Sequence, residues 1–294
     1  MNQVYIITGV TCSGKTQKSI ELAKELDGEI ISCDSVQIYC GMDIGSAKPT
    51  QEEMSGIRHH LIDVAPCSKA FDVAEYITLA KSALADITSR GKTPIVCGGS
   101  GFYLRAWFAA VTDNITIPQD VKETCDALEL LGNDAMVEAL LKIDSEAAKS
   151  VDIFNSRRVK NALARCMASG KRCAELLENF NSLPCPMGEL TRKVQVLDRP
   201  DDELKERIRI RTASMIENGL IDEARKLILA NIKDNPSASL AIGYRETINW
   251  LETSQTSTES LAEEISANTF ALVKKQRKYF RNALFKNCNN YTTI

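Results

Sequence analysis

The octet Gly9-Val10-Thr11-Cys12-Ser13-Gly14-Lys15-Thr16 constrains this chain more than any other feature, because it fits G-x-x-x-x-G-K-[ST] and follows directly on the apolar run Val4–Thr8. A loop of that composition, set between a buried strand and a helix, turns its backbone N–H groups around a phosphate while its lysine neutralises a non-bridging oxygen. Its closing hydroxyl is placed to hold Mg²⁺. All eight residues are therefore candidate diphosphate ligands, with Lys15 and Thr16 the chemically active members and Thr16 the candidate metal ligand. The competing reading, a glycine-containing turn that binds nothing, sits badly with flanks of the right kind on both sides.

Around that loop the pattern alternates. Val4–Val10 reads as a strand, Lys15–Glu25 as an amphipathic helix, Glu29–Cys33 as a strand, Asp72–Ser89 as a long helix and Thr93–Cys97 as a strand running into Gly98-Gly99. This order predicts an α/β fold of P-loop NTPase type, a parallel sheet flanked by helices with ligands gathered at the carboxyl ends of the strands. From Thr116 to Ser182 the pattern turns helical only, and Pro184-Cys185-Pro186 closes it. The chain thus reads as a core in two parts, 1–115 and 186–294, with an all-helical insertion at 116–185. Beyond the insertion Arg192–Leu197 reads as a returning strand, followed by helices near 201–231, 239–252 and 257–285.

Composition excludes more than it selects. The 294 residues are 44% hydrophobic and 26% charged, as expected of a globular chain with room for one α/β core and an appended lobe. A net charge of -3 does not advertise a nucleic-acid binder, but affinity for phosphate backbones depends on where the basic residues lie. No apolar stretch approaches about 18 residues, and the first strand begins too early for a signal peptide. A cytoplasmic monomer with no membrane partner is expected. The ten cysteines include no C-x-x-C pair and only two histidines accompany them, which points to reduced, structural thiols. His59 and His60, adjacent and without a third ligand, are expected to shape the turn before Leu61 and not to bind zinc.

The second strand delivers Asp34-Ser35-Val36-Gln37. An aspartate at a strand tip about 20 residues beyond a phosphate loop can be a metal ligand or a base, though alone it serves as readily as a turn cap. The Gln37 amide can donate and accept together, which suits the edge of a nucleobase. The strand Thr93–Cys97 ends in Gly98-Gly99-Ser100-Gly101-Phe102-Tyr103, without the acid that phosphoryl-transfer P-loop enzymes use to organise Mg²⁺. That weakens a kinase or NTPase reading and favours chemistry in which diphosphate leaves. Arg207 and Arg211 stand i, i+4 and can point into one site or form a solvated basic face.

These motifs, taken in order, resemble the tRNA dimethylallyltransferases. The resemblance rests on the phosphate loop, Asp34-Ser-Val-Gln37, Met42-Asp-Ile-Gly-Ser-Ala-Lys-Pro49, His59-His-Leu-Ile-Asp63 and Gly98-Gly-Ser-Gly-Phe-Tyr103. It continues through Arg207-Ile-Arg-Ile-Arg211, Gly219-Leu-Ile-Asp-Glu223, Ala241-Ile-Gly-Tyr-Arg-Glu246 and Lys274-Lys-Gln-Arg-Lys-Tyr-Phe-Arg281. Departures are Val10 and Cys12 for the family's proline and alanine, Ser100 for a threonine and Tyr279 for a tryptophan. The insertion motif Asn155-Ser-Arg-Arg-Val159 is recognisable, but the glutamate usual after Ala162-Leu163 is replaced.

The resemblance implies transfer of a dimethylallyl group from dimethylallyl diphosphate to N6 of the adenine 3′-adjacent to the anticodon, with release of pyrophosphate. It implies Mg²⁺ as cofactor and the tRNA anticodon stem-loop as partner. Asp34 is then the base for the N6 proton, while Lys15, Thr16 with Mg²⁺, and Arg207 or Arg211 stabilise the leaving diphosphate. Asp34, Ser35, Val36, Gln37, Ser100, Lys122, Arg157 and Arg158 are the implied tRNA contacts. Phe102 and Tyr103 either line a prenyl pocket or belong to the core, and the basic run Lys274–Arg281 either meets phosphates or is a solvated face. A prenyltransferase acting on free adenine nucleotides would share the loop and Asp34 but would not need the helical insertion. A regulatory nucleotide binder or small-molecule kinase would call for the strand-end acid that is missing here.

Overall fold

The computed structural model describes residues 3–253, 257–281 and 291–293, so the last part of the helix expected over 257–285 lies outside the described residues. Six strands, β1 (Gln3–Gly9), β2 (Gly28–Ser32), β3 (His59–His60), β4 (Thr93–Cys97), β5 (Thr191–Leu197) and β6 (Tyr291–Thr293), form one sheet in the order β3-β2-β4-β1-β5-β6. Every pairing is parallel. Parallel strands covered on both faces need continuous apolar runs, and Val4, Ile6, Ile7, Ile30, Ile31, Ile95 and Val96 are all buried.

Register decides where the chemistry falls. Ile7 and Ser32 both stand opposite Cys97, and Gly9 stands opposite Leu197, so the carboxyl ends of β1, β2, β4 and β5 finish at one edge. The ladders run on past the strands: Cys33 N–H donates to Cys97 O (2.8 Å), Gly98 N–H to Ile7 O (3.2 Å) and Val10 N–H to Leu197 O (3.3 Å). A Cβ on Gly9 would stand 2.0 Å from Leu197 O, and one on Gly98 2.0 Å from Cys33 O. Only glycine allows backbones that close, and this is why the loop begins at Gly9 and why β4 ends in glycine.

Two helices fix that edge from the sides. Lys15–Glu25 starts at Gly14 (φ 98°) and turns Ser19, Ile20 and Ala23 to the sheet. Val73–Ser89 is capped by Asp72, whose carboxylate accepts from the N–H groups of Ala74 and Glu75 while Glu75 reaches back, and it buries Tyr76, Ile77, Ala80, Ala83 and Ile87 at helical spacing. The Trp107 indole donates to the Tyr76 hydroxyl at 2.9 Å, and both rings are fully buried.

Several expectations are corrected. His59 and His60 are an edge strand paired with Ile30 and Ile31, not a turn. A bond of 2.8 Å joins His60 Nε2 to the Glu29 carboxylate, which also takes a fork from Arg90. Arg90, then the His60 contact, holds the Glu29 carboxyl down at about 2 against the cost of burial. The segment 239–252 is not one helix but Pro236–Ser239 and Tyr244–Glu252, parted by Gly243 at φ 95°. Gly219, at φ 99°, divides Asp201–Glu217 from Leu220–Leu229. The short strand β6 carries too weak a pattern to be read from sequence.

The chain separates into two compact units, residues 1–109 with 185–294, and residues 110–184. The second begins a few residues before position 116. It is helical throughout its described elements, with Gln119–Leu130, Asn133–Ile143, Ser156–Ser169 and Cys173–Asn181 packed around Met136, Leu140, Val159, Leu163 and Cys166. Lys122, Arg157 and Arg158 lie exposed on this unit, with Arg158 3.5 Å from Asp152.

Candidate active site

The segments leaving β1, β2 and β4, with helices of the C-terminal part of the core, line a cleft of about 1510 Å³. Of the phosphate loop, Thr11, Cys12, Gly14, Lys15 and Thr16 line it, whereas Gly9, Val10 and Ser13 stand behind. Val10 and Ser13 are buried, and Cys12 takes the left-handed conformation (φ 61°) that lets the loop turn. Lys15 Nζ donates to Val10 O at 2.7 Å, across its own loop. Burial pushes the Lys15 amine below the usual lysine range; nearby Cys97 and Asp34 act against that, and the positive charge of Arg211 adds to it.

Asp34, Ser35, Val36 and Gln37 line the same cleft, with Ser100. Asp34 Oδ1 accepts from the backbone N–H groups of Val36 (2.8 Å) and Gln37 (3.3 Å), a turn that fixes the carboxylate. Oδ2 has no protein partner among the described residues, so one oxygen is anchored and one is open. The Ser100 hydroxyl accepts from Ser35 N–H at 2.8 Å and lies 3.2 Å from Ser35 Oγ, tying the ends of β2 and β4 together. Gln37 Nε2 faces the carbonyls of Ser46 (3.4 Å) and Ala47 (3.1 Å). The expected simultaneous donor and acceptor is thereby reduced to an acceptor, Oε1.

The two arginines separate. Arg207 Nε donates to Cys12 O at 2.8 Å, with Glu203 3.9 Å away, and so is committed to bracing the loop although it too lines the cleft. Arg211 also lines the cleft, and among the described residues it has no carboxylate partner. Both of the aromatic pair line the cleft, but Tyr103 is buried and tethered: it stacks on Tyr76 at 4.3 Å and its hydroxyl donates to Phe71 O at 3.2 Å. Phe102 is 62% exposed at the cleft wall.

Sequence reading missed Gln276. It sits inside the run Lys274–Arg281, whose charge is the feature the sequence displays. Yet the neutral residue is the one that meets the loop: Gln276 Oε1 accepts from Thr11 N–H at 2.9 Å and Nε2 faces Gly99 O at 3.4 Å. Arg277 spends its charge on Asp198 (2.8 Å) and Asp201, and Lys275 alone among the basic residues of the run lines the cleft. Tyr279 donates its hydroxyl to Gly101 O at 2.9 Å. A polar residue among charged ones gives no periodic signal by which to find it.

A hard-oxygen donor for Mg²⁺ is present: the Thr16 hydroxyl lines the cleft with no protein partner among the described residues, and a diphosphate would supply further oxygens.

A glycine-rich phosphate loop at the carboxyl edge of a parallel sheet, faced by an open carboxylate, defines an α/β protein of P-loop type. Residues 37–283 match the family model described as IPP transferase. The chain is 44% identical to a tRNA dimethylallyltransferase of Opitutus terrae over 96% of its own length and 91% of that protein's. It is 36% identical to one from Protochlamydia amoebophila, covering 95% and 81%. The full-length tRNA isopentenylpyrophosphate transferase of Bacillus halodurans superposes with a TM-score of 0.67 at 35% identity, covering all of this chain and 90% of that one. A eukaryotic dimethylallyltransferase solved acting on tRNA superposes with a TM-score of 0.84 at 26% identity, covering all of this chain and 74% of that one. The chain belongs to the tRNA dimethylallyltransferase family.

Proposed function

We propose that this enzyme alkylates N6 of the adenine 3′-adjacent to the tRNA anticodon, taking the dimethylallyl group from dimethylallyl diphosphate. The observation that carries the reading is the pairing, across one cleft, of a diphosphate loop with the open oxygen of Asp34. The N6 lone pair is delocalised into the ring, so bond formation to the allylic carbon needs a group to take the N6 proton; Asp34 Oδ2 is that group. As the new C–N bond forms, the allylic C–O bond breaks and its electron pair leaves with pyrophosphate. Lys15, Arg211 and the loop N–H groups stabilise that charge. Bound at Thr16, Mg²⁺ would neutralise part of it. To enter the cleft the adenine must leave the anticodon-loop stack, and Ser35, Gln37 and Ser100 then stand where its edge would lie. Lys122, Arg157 and Arg158 on the helical unit are the proposed tRNA phosphate contacts.

Asp34→Asn separates base from metal ligand, because an amide keeps the shape but is too weakly basic to take a proton. Single-turnover prenylation should fall by about 10²-fold or more with donor affinity little changed. Rescue of the rate by high Mg²⁺ would remove Asp34 from the role of base.

A further inference from the structure

Gln37 can face the cleft in only one orientation, and what holds it there lies far along the chain. Its two amide hydrogens face the carbonyls of Ser46 and Ala47. A flipped amide would set Oε1 against both oxygens, so the flip is blocked as long as those carbonyls stay in place. They belong to a loop that Glu223 pins: its carboxylate accepts from the consecutive N–H groups of Asp43 (3.1 Å), Ile44 (2.8 Å) and Gly45 (3.1 Å). The Tyr244 hydroxyl donates to the same carboxylate at 2.7 Å. Tyr244 is fully buried and its ring closes on the loop so tightly that a Cβ on Gly45 would stand 2.6 Å from it. On the far side Lys48 joins Asp63 (2.6 Å), Asp43 and the Tyr39 carbonyl (3.0 Å).

We propose that Glu223, seated on Tyr244, is a positioning residue that fixes the 43–47 loop and through it holds Gln37 with only its carbonyl open to the base. This rests on the alkyl-transfer reading above and deepens it. The Gln37 carbonyl and the open Asp34 oxygen then offer two acceptors from the one segment Asp34–Gln37, and Gln37 adds no donor of its own. Such a segment takes an exocyclic amino group and repels a keto oxygen, which selects adenine over a 6-oxopurine. Glu223 touches no substrate in this arrangement. It acts on discrimination by denying Gln37 its second orientation.

The test uses the full-length enzyme and anticodon stem-loops carrying adenosine, purine riboside or inosine at the reacting position, with affinity measured for each. Wild type should bind them in the order adenosine, purine riboside, inosine. Glu223→Gln keeps the side chain's shape but removes the charge that gathers three N–H groups. Its adenosine-to-inosine ratio should fall about tenfold, chiefly by tighter inosine binding, with donor affinity unchanged. Gly45→Ala, which pushes the loop off Tyr244, should lower the ratio in the same direction. Folding is checked by the donor affinity of each variant. If both variants bind donor normally and keep the wild-type ratio, Glu223 is structural only and the proposal is overturned. Failure of wild type itself to prenylate adenosine would instead overturn the reading of the reaction.

Discussion

Replacing Arg211 and Arg207 separately by alanine should give losses of very different size, although the two stand one helical turn apart. Arg211 lines the cleft with no carboxylate partner among the described residues, close enough to Lys15 to depress its pKa. A unit charge about 4 Å from a diphosphate oxygen contributes ~4 kcal/mol at an effective dielectric of ~20. Residual solvent reduces that, and ~2–4 kcal/mol corresponds to about 30- to 10³-fold in kcat/KM. Because charge gathers on the diphosphate as the C–O bond breaks, much of the loss should fall on kcat. Arg207 has a 43%-exposed side chain with a distant pairing to Glu203 at 3.9 Å, which contributes ~0–1 kcal/mol. Its 2.8 Å bond to Cys12 O adds about 1 kcal/mol through the loop's shape. Arg207→Ala should therefore cost only about fivefold, expressed in KM for the donor. The assay is steady-state prenylation of an anticodon stem-loop at saturating RNA with the donor varied. Equal losses, or a larger one for Arg207→Ala, would refute the assignment of Arg211 to the leaving group.

Gly98→Ala places a Cβ 2.0 Å from the carbonyl oxygen of Cys33, a backbone atom just past the end of β2 that the ladder bond from Cys33 N–H to Cys97 O holds in place. It should destabilise by more than ~3 kcal/mol, read as a drop in Tm or loss of soluble protein; a drop of under 2 °C would show that the strand end adjusts freely. Arg90→Met tests the cluster at the sheet edge. Glu29 is held at about 2 in the fold against 4.5 outside it, so its pairing stabilises the protein fully above pH 4.5 and the gain is lost as pH falls toward 2. At pH 7 the variant should be less stable by about 2 kcal/mol, and the gap from wild type should close between pH 4.5 and 2 in urea titrations. A gap independent of pH would mean the arginine acts through packing alone.

What the sequence determined by itself was local in the chain. A strand, a glycine turn and a helix N-terminus within about 20 residues dictate a phosphate loop, since the backbone conformations and the point charge belong to one contiguous segment. The same holds for Asp34, whose anchoring turn uses only the next three residues. The helical insertion was legible because amphipathic period and the absence of strand-like runs are properties of the segment itself. Tertiary structure decided everything that depends on which distant segment arrives. Gln276 reaches Thr11 across 265 residues, and Glu223 reaches Ile44 across 179. Whether Arg207 or Arg211 keeps its charge for the substrate depends on where the Cys12 carbonyl and Glu203 stand, which spacing along one helix does not reveal. Gln37 shows the difference most clearly. Its residue type offers a donor and an acceptor, and only the two carbonyls packed against its nitrogen decide which is left. Hydrogen-bonding capacity is written in the side chain, but what remains of it for a ligand is set by the neighbours that folding brings.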